Sequence, residues 1–127
     1  MSRKGCSILV VDDNQDIRDL ITLIVEEEGY GVLAASDGES ALNLLQIHQP
    51  ELLLLDVMMP GLSGIDVLKE IRATGNVVPV LMITAKSQSM DIELALAAGA
   101  NSYIVKPFRA DALLEKISSL MSQELRK

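Results

Sequence analysis

Aromatic side chains are almost absent from this sequence. Its 127 residues include only Tyr30, Tyr103 and Phe108, and no tryptophan. The core must therefore be aliphatic, and a 49% apolar composition supplies it from Leu, Ile, Val, Ala and Met. Basic charge is scarce as well: 11 Lys and Arg stand against 18 Asp and Glu, a formal net charge of −7. An acidic balance and few stacking rings argue against a nucleic-acid-binding surface, which uses a basic stripe or aromatic platforms. Cys6 is the one cysteine, which excludes an internal disulfide and a cysteine-based metal cage. No apolar run approaches the roughly 20 residues of a membrane span. The apolar stretch after Arg3 and Lys4 stops at Asp12, too short for a signal peptide, and no small-residue cleavage site follows it. These absences fit a cytoplasmic protein of one domain. A chain of this length buries about two-thirds of its unfolded surface and can fold alone.

What is present is an alternation, repeated five times. Ser7, Ile8, Leu9, Val10 and Val11 form a continuous β-rich run. Ile17, Leu20, Ile21 and Ile24 then recur at helical spacing within 14–28, which predicts an amphipathic helix closed by Gly29. A weaker strand follows at 32–35. Asp37 is the expected N-cap of a second helix carrying Ala41, Leu42 and Leu45, finished before Pro50. Leu52 to Leu55 make a third strand, ended by Asp56. Ser63 and Asp66 have capping-box spacing ahead of Ile65, Leu68 and Ile71. Val80 to Ile83 form a fourth strand, residues 88–98 a fourth helix, and Ser102 to Val105 a fifth strand. The last helix uses Leu113, Leu114, Ile117, Leu120 and Met121. Strands without polar alternation, separated by helices, imply a parallel sheet covered on both faces. The expected fold is one α/β domain over 1–127, core about 6–122, with a doubly wound five-stranded (βα)5 sheet.

In such a sheet, ligands bind beyond the carboxyl ends of the strands. Asp12 and Asp13 follow the first strand, Asp56 the third, Thr84 the fourth, and Lys106 with Pro107 the fifth. Three carboxylates, one hydroxyl and one ammonium thus collect at one edge. The carboxylates repel one another unless their pKa values rise or a cation neutralises them. One lysine leaves an excess of negative charge, and Mg2+ suits a few carboxylates plus waters. Metal, lysine and hydroxyl together can neutralise a phosphoryl group, and an aspartate can serve as its nucleophile. No nucleotide-binding glycine loop is present, so a donor bound as ATP is not expected.

Val10-Val11-Asp12-Asp13, the run from Leu55 to Gly61 with Gly64, Ile83-Thr84-Ala85, Gly99-Ala100 and Lys106-Pro107-Phe108 occur in this order over nearly the whole chain. This pattern resembles the receiver domain of two-component response regulators, in single-domain form. The resemblance implies a flavodoxin-like sheet of strand order 2-1-3-4-5. It implies that Asp56 accepts a phosphoryl group from a histidine kinase or histidine phosphotransfer protein. The metal ligands would be Asp12 (mainly through water), Asp13, Asp56 and the Met58 carbonyl, with Mg2+ as the ion and Mn2+ as a substitute. Lys106, before a cis proline, would pair with the phosphoryl oxygens. Thr84 would swing towards that group and Tyr103 would turn inward behind it. Met58 and Lys86 would flank the path of the hydrolytic water, and Met58 cannot orient it, so autodephosphorylation should be slow. Such a chain is not a conventional enzyme: it catalyses its own aspartyl phosphorylation and dephosphorylation. Its target would dock on the fourth helix, fifth strand and fifth helix, near 86–98, 102–105 and 110–120. A monomer or weak dimer is expected, with no direct nucleic-acid binding and no membrane contact.

Two other functions are weaker fits. A haloacid dehalogenase-like phosphatase carries a second Asp two residues after its nucleophile, where Met58 stands here. A degenerate receiver used only for binding would lack the Asp, Thr or Lys, and none is missing. One large DNA-binding subfamily carries Asp-Asp-Tyr at the fifth strand; Asn101-Ser102-Tyr103 departs from it. The Met1-Ser2-Arg3-Lys4 start favours an authentic N-terminus. His48 reads as a solvated residue at a helix end, Cys6 as strand packing, Met82 and Met121 as core fillers, and Glu26 to Glu28 as a solvated helix end.

Overall fold

A computed structural model describes residues 7–85 and 89–125, without the side chains of 89–91 and 122–125. The elements are β1 (Ser7–Val11), α1 (Gln15–Glu27), β2 (Gly31–Ala35), α2 (Gly38–Ile47), β3 (Leu52–Asp56), α3 (Gly64–Ala73), β4 (Val80–Ala85), α4 (Ser89–Ala98), β5 (Ser102–Lys106) and α5 (Ala110–Leu125). All strand pairs are parallel, and the sheet order is β2-β1-β3-β4-β5. The doubly wound (βα)5 reading and the 2-1-3-4-5 order are therefore observed.

The pleat sorts the central strands into two cores. Leu9, Val11, Leu53, Leu55, Val80 and Met82 pack on one face with α2 and α3 residues such as Ala41, Leu45, Val67, Leu68 and Ile71. Ile8, Val10, Leu52, Leu54, Leu81, Ile83 and Ile104 pack on the other with Ile21 and Val25 of α1 and Leu113 and Ile117 of α5. Successive strand residues point to opposite faces, so strands buried on both sides must be apolar throughout.

The helices start where their caps say. Asn14 Oδ1 accepts from Ile17 N–H, Asp37 Oδ1 accepts from Ser40 N–H, and Ser63 with Asp66 forms a full capping box. Met82 and Met121 are buried, and His48 is the exposed C-cap of α2, as expected. Cys6 and Lys86 lie outside the described residues.

Three expectations are corrected. Leu20 is 52% exposed, and Val25 takes its place on the buried face of α1. At 100° per residue the stripe through Ile21 and Val25 is the one centred on the sheet, and Leu20 falls at its solvent edge. Val67, unremarked in the sequence, is fully buried where Ile65 is only half-buried. Finally, Asp56, Thr84 and Lys106 close their strands from within. Asp56 pairs with Ile83, Thr84 with Val105 and Ala85 with Lys106. The backbone ladder continues past the apolar run because each neighbour still offers hydrogen-bonding groups.

Candidate functional site

Asp12 follows β1 directly and is completely buried. Its N–H donates to the Ala35 carbonyl at the end of β2, 3.2 Å. Its Oδ1 accepts from the Asn14 N–H at 2.9 Å, an Asx turn that also sets up the cap of α1. One turn into that helix, Arg18 Nη1 donates to the Asp12 carbonyl at 2.8 Å. Backbone and one oxygen are thereby held. The other oxygen, Oδ2, is buried and accepts no hydrogen bond. Lys106 Nζ stands 3.4 Å from it, close enough to pair by charge but not aligned as a hydrogen bond.

Asp56 ends β3 and is 3% exposed. Its Oδ1 lies 3.3 Å from the same Lys106 Nζ. Pleat parity explains the meeting. Val10, Leu54 and Ile104 belong to the α1–α5 core, and Asp12, Asp56 and Lys106 each come two residues later. The Lys106–Pro107 bond is cis, as expected. Burial, and secondarily the Asp12 charge, push the Asp56 carboxyl up to about 6; Lys106 offsets only part of this.

Gly64 positions the end of β3. A Cβ at Gly64 would collide with the Asp56 carbonyl oxygen and sit 2.9 Å from Val57 Cα. The first turn of α3 therefore presses directly on the backbone that presents Asp56. The Gly64 N–H donates to the Val57 carbonyl, and the Val57 N–H to the Ile83 carbonyl, both at 2.9 Å. Gly64 was visible as a motif element, but not this contact; nor did spacing reveal the Arg18 clamp, which needs the helix direction.

Asp13 is exposed and completes the group. Carboxylate oxygens of Asp12, Asp13 and Asp56 lie within 4.8 Å of one another. This is an all-oxygen set with one deeply buried, unbonded acceptor and an excess of negative charge. Its chemistry fits a small hard cation that keeps several waters. The Met58 side chain is 65% exposed. Thr84 is buried, and its hydroxyl donates to the Ala85 carbonyl at 3.3 Å, so it is spent on its own strand rather than on a carboxylate. Tyr103 is half-buried against the α2–α3 core, opposite Met82 in the register and two residues from Thr84's partner Val105. Beside Lys106, Ile17, Leu20, Ala85, Pro107 and Phe108 line an open apolar cleft of about 450 Å³.

Comparison with known proteins decides the family. The response regulator receiver domain model matches residues 8–118. The chain belongs to the response regulator receiver family. This receiver is 45% identical over 114 residues to the transcriptional regulatory protein CpxR of Klebsiella pneumoniae, covering 90% of this chain and 48% of that protein. It is 40% identical over 110 residues to the DNA-binding response regulator MtrA of Mycobacterium tuberculosis, covering 87% and 48%. The chain thus spans about half the length of the curated relatives it matches. Among solved structures, the receiver domain of NtrX from Brucella abortus superposes with a TM-score of 0.87 at 37% identity, covering 91% of this chain and 98% of that one. A Francisella response regulator receiver domain gives 0.89 at 31%, covering 94% and 99%. The Asn101-Ser102-Tyr103 segment has a structural role in this receiver. In the structure Asn101 Oδ1 accepts from Val80 N–H at 2.8 Å and Arg72 Nη2 at 3.1 Å, so it closes the start of β4. Among the described residues, no helix is long and apolar enough to cross a membrane.

Proposed function

We propose that this receiver is a signalling switch that accepts a phosphoryl group on Asp56 from a phosphohistidine of a partner kinase or phosphotransfer protein. The observation that carries the reading is the environment of Asp56. It is a buried carboxylate with one cation 3.3 Å away, next to two further carboxylates that gather charge for a metal. An Asp56 oxygen attacks phosphorus, and the P–N bond to the imidazole breaks with its electron pair staying on the ring nitrogen. The product is an acyl phosphate.

Lys106, whose Nζ lies 3.3 Å from Asp56 Oδ1, would pair with the arriving oxygens. Asp12, Asp13, Asp56 and the Met58 carbonyl would hold Mg2+, or Mn2+ in its place. When bound, the ion supplies the positive charge that this cluster and a phosphoryl group otherwise lack. The Thr84 hydroxyl leaves the Ala85 carbonyl to donate to the phosphoryl group. Tyr103, on the same sheet face, turns inward behind it, altering the face formed by α4, β5 and α5. A cytoplasmic monomer or weak dimer fits this role. In a longer regulator like the relatives, output would be transcriptional, and DNA contact would fall to residues outside this acidic receiver.

Phosphoramidate, whose P–N bond mimics phosphohistidine, tests the donor chemistry. It should label Asp56 in the presence of Mg2+; label on another residue would sink the reading. Lifetime is a second test. Met58 is exposed at the rim and has no group to orient water. Met58→Asn should shorten the half-life of the acyl phosphate several-fold, measured as loss of the labelled species with time. An unchanged decay would show that this position does not govern hydrolysis.

A further inference from the structure

The ammonium of Lys116, on α5, lies 5.5 Å from the centroid of the Tyr103 ring. That is within the range of a cation–π contact. Both ends are anchored. Leu113 and Ile117, flanking Lys116 on α5, are fully buried and seat that helix face on the sheet. Tyr103 is paired through β5 to Met82 of β4. The ring itself is only half-buried, packed at the margin of the α2–α3 core. It therefore sits at a boundary, with one side towards apolar packing and the other under a positive charge. An inward turn towards Thr84 would carry it away from that charge.

We propose that Lys116 is a positioning residue for the tyrosine switch, holding Tyr103 in its unphosphorylated position through the cation–π contact. The proposal rests on the reading of Tyr103 given under Proposed function. A contact of this kind at a partly exposed site biases a two-state ratio roughly 2- to 5-fold. Where Asp56 is labelled from the inward-ring state, lowering that state's population lowers labelling by up to the same factor. Lys116 is thus a brake on the switch that acts through Tyr103 and not on the reacting atoms.

The test compares Lys116→Met, which keeps the aliphatic stem, with Lys116→Arg, which keeps the cation. Ring resonances of Tyr103 are followed by NMR; Tyr30 is the one other tyrosine, so assignment is direct. Initial rates of Asp56 labelling by acetyl phosphate with Mg2+ are measured in parallel. In Lys116→Met the ring signals should move towards their phosphorylated positions, and labelling should accelerate roughly 2- to 5-fold. Lys116→Arg should behave as the parent in both. If Lys116→Met labels at the parental rate with unmoved ring signals, the proposal fails while the phosphorylation reading stands. It fails too if Lys116→Arg shifts both readouts as far as Lys116→Met does. If the parent is not labelled on Asp56 at all, the switch reading falls and this proposal falls with it.

Discussion

Replacing the central aspartate should make the metal-free protein more stable, not less. Asp56→Asn is expected to gain about 1–2 kcal/mol near pH 7.5, and to gain nothing near pH 4. The sign follows from the raised carboxyl. Folding lifts Asp56 from 3.8 to about 6, first through burial and then through the Asp12 charge. Between these values the native state holds a proton that the unfolded chain has released. Stability therefore falls as pH rises from about 4 to above 6, and stays low beyond. A rise of this size corresponds to roughly 3 kcal/mol. Removing the carboxylate also leaves Lys106 with less charge to meet at 3.3 Å, which trims the gain. Urea melts of both proteins over this pH range read the effect. A gain that persists undiminished at pH 4, or a loss at pH 7.5, would refute it. Saturating Mg2+ should shrink that gain. Binding to the native state alone adds about 2.7 kcal/mol at a hundredfold excess over Kd, and the variant forfeits part of that.

Gly64→Ala should do the opposite damage. The added methyl would collide with the Asp56 carbonyl oxygen and lie 2.9 Å from its carbonyl carbon. Both are backbone atoms in the β3–β4 ladder and cannot rotate away. Either α3 retreats, and the cap at Ser63 with the Val67 and Leu68 packing loosens, or the end of β3 moves. Overpacking of this kind costs roughly 1–3 kcal/mol, and backbone partners put this site at the upper end. Unlike a substitution in the distant core, it should also slow Asp56 labelling at temperatures where the variant is folded, because β3 presents the carboxylate. Parental stability, measured by thermal melting, would show that α3 is not seated against this strand as described.

The fold was legible because its logic is repetitive. Five uninterrupted aliphatic runs between amphipathic segments admit few arrangements other than a covered parallel sheet, and Asp37 and Ser63 announced their helices. The site was legible for the same reason: strand ends converge, so Asp12, Asp56 and Lys106 could be grouped without knowing any distance. Tertiary detail was not legible. Leu20 matches the helical period yet faces solvent beside the cleft, because periodicity sets a stripe but not where the sheet ends beneath it. Thr84 belongs to the strand-end group, yet its hydroxyl is turned to the Ala85 carbonyl. Pleat parity, which depends on where the ladder stops, sends it to the opposite sheet face from Asp56. The Gly64 and Arg18 contacts depend on how α3 and α1 approach the sheet, which spacing alone does not encode.

The proposed switch depends on Asp56 and a cation acting together. The direct measurement is incubation with acetyl phosphate, with Mg2+ or with excess chelator, followed by intact-mass and peptide analysis. One phosphoryl group should appear, on Asp56, with Mg2+ only, and none on Asp56→Asn. Labelling that survives the chelator unchanged, or persists in Asp56→Asn, would contradict the assignment.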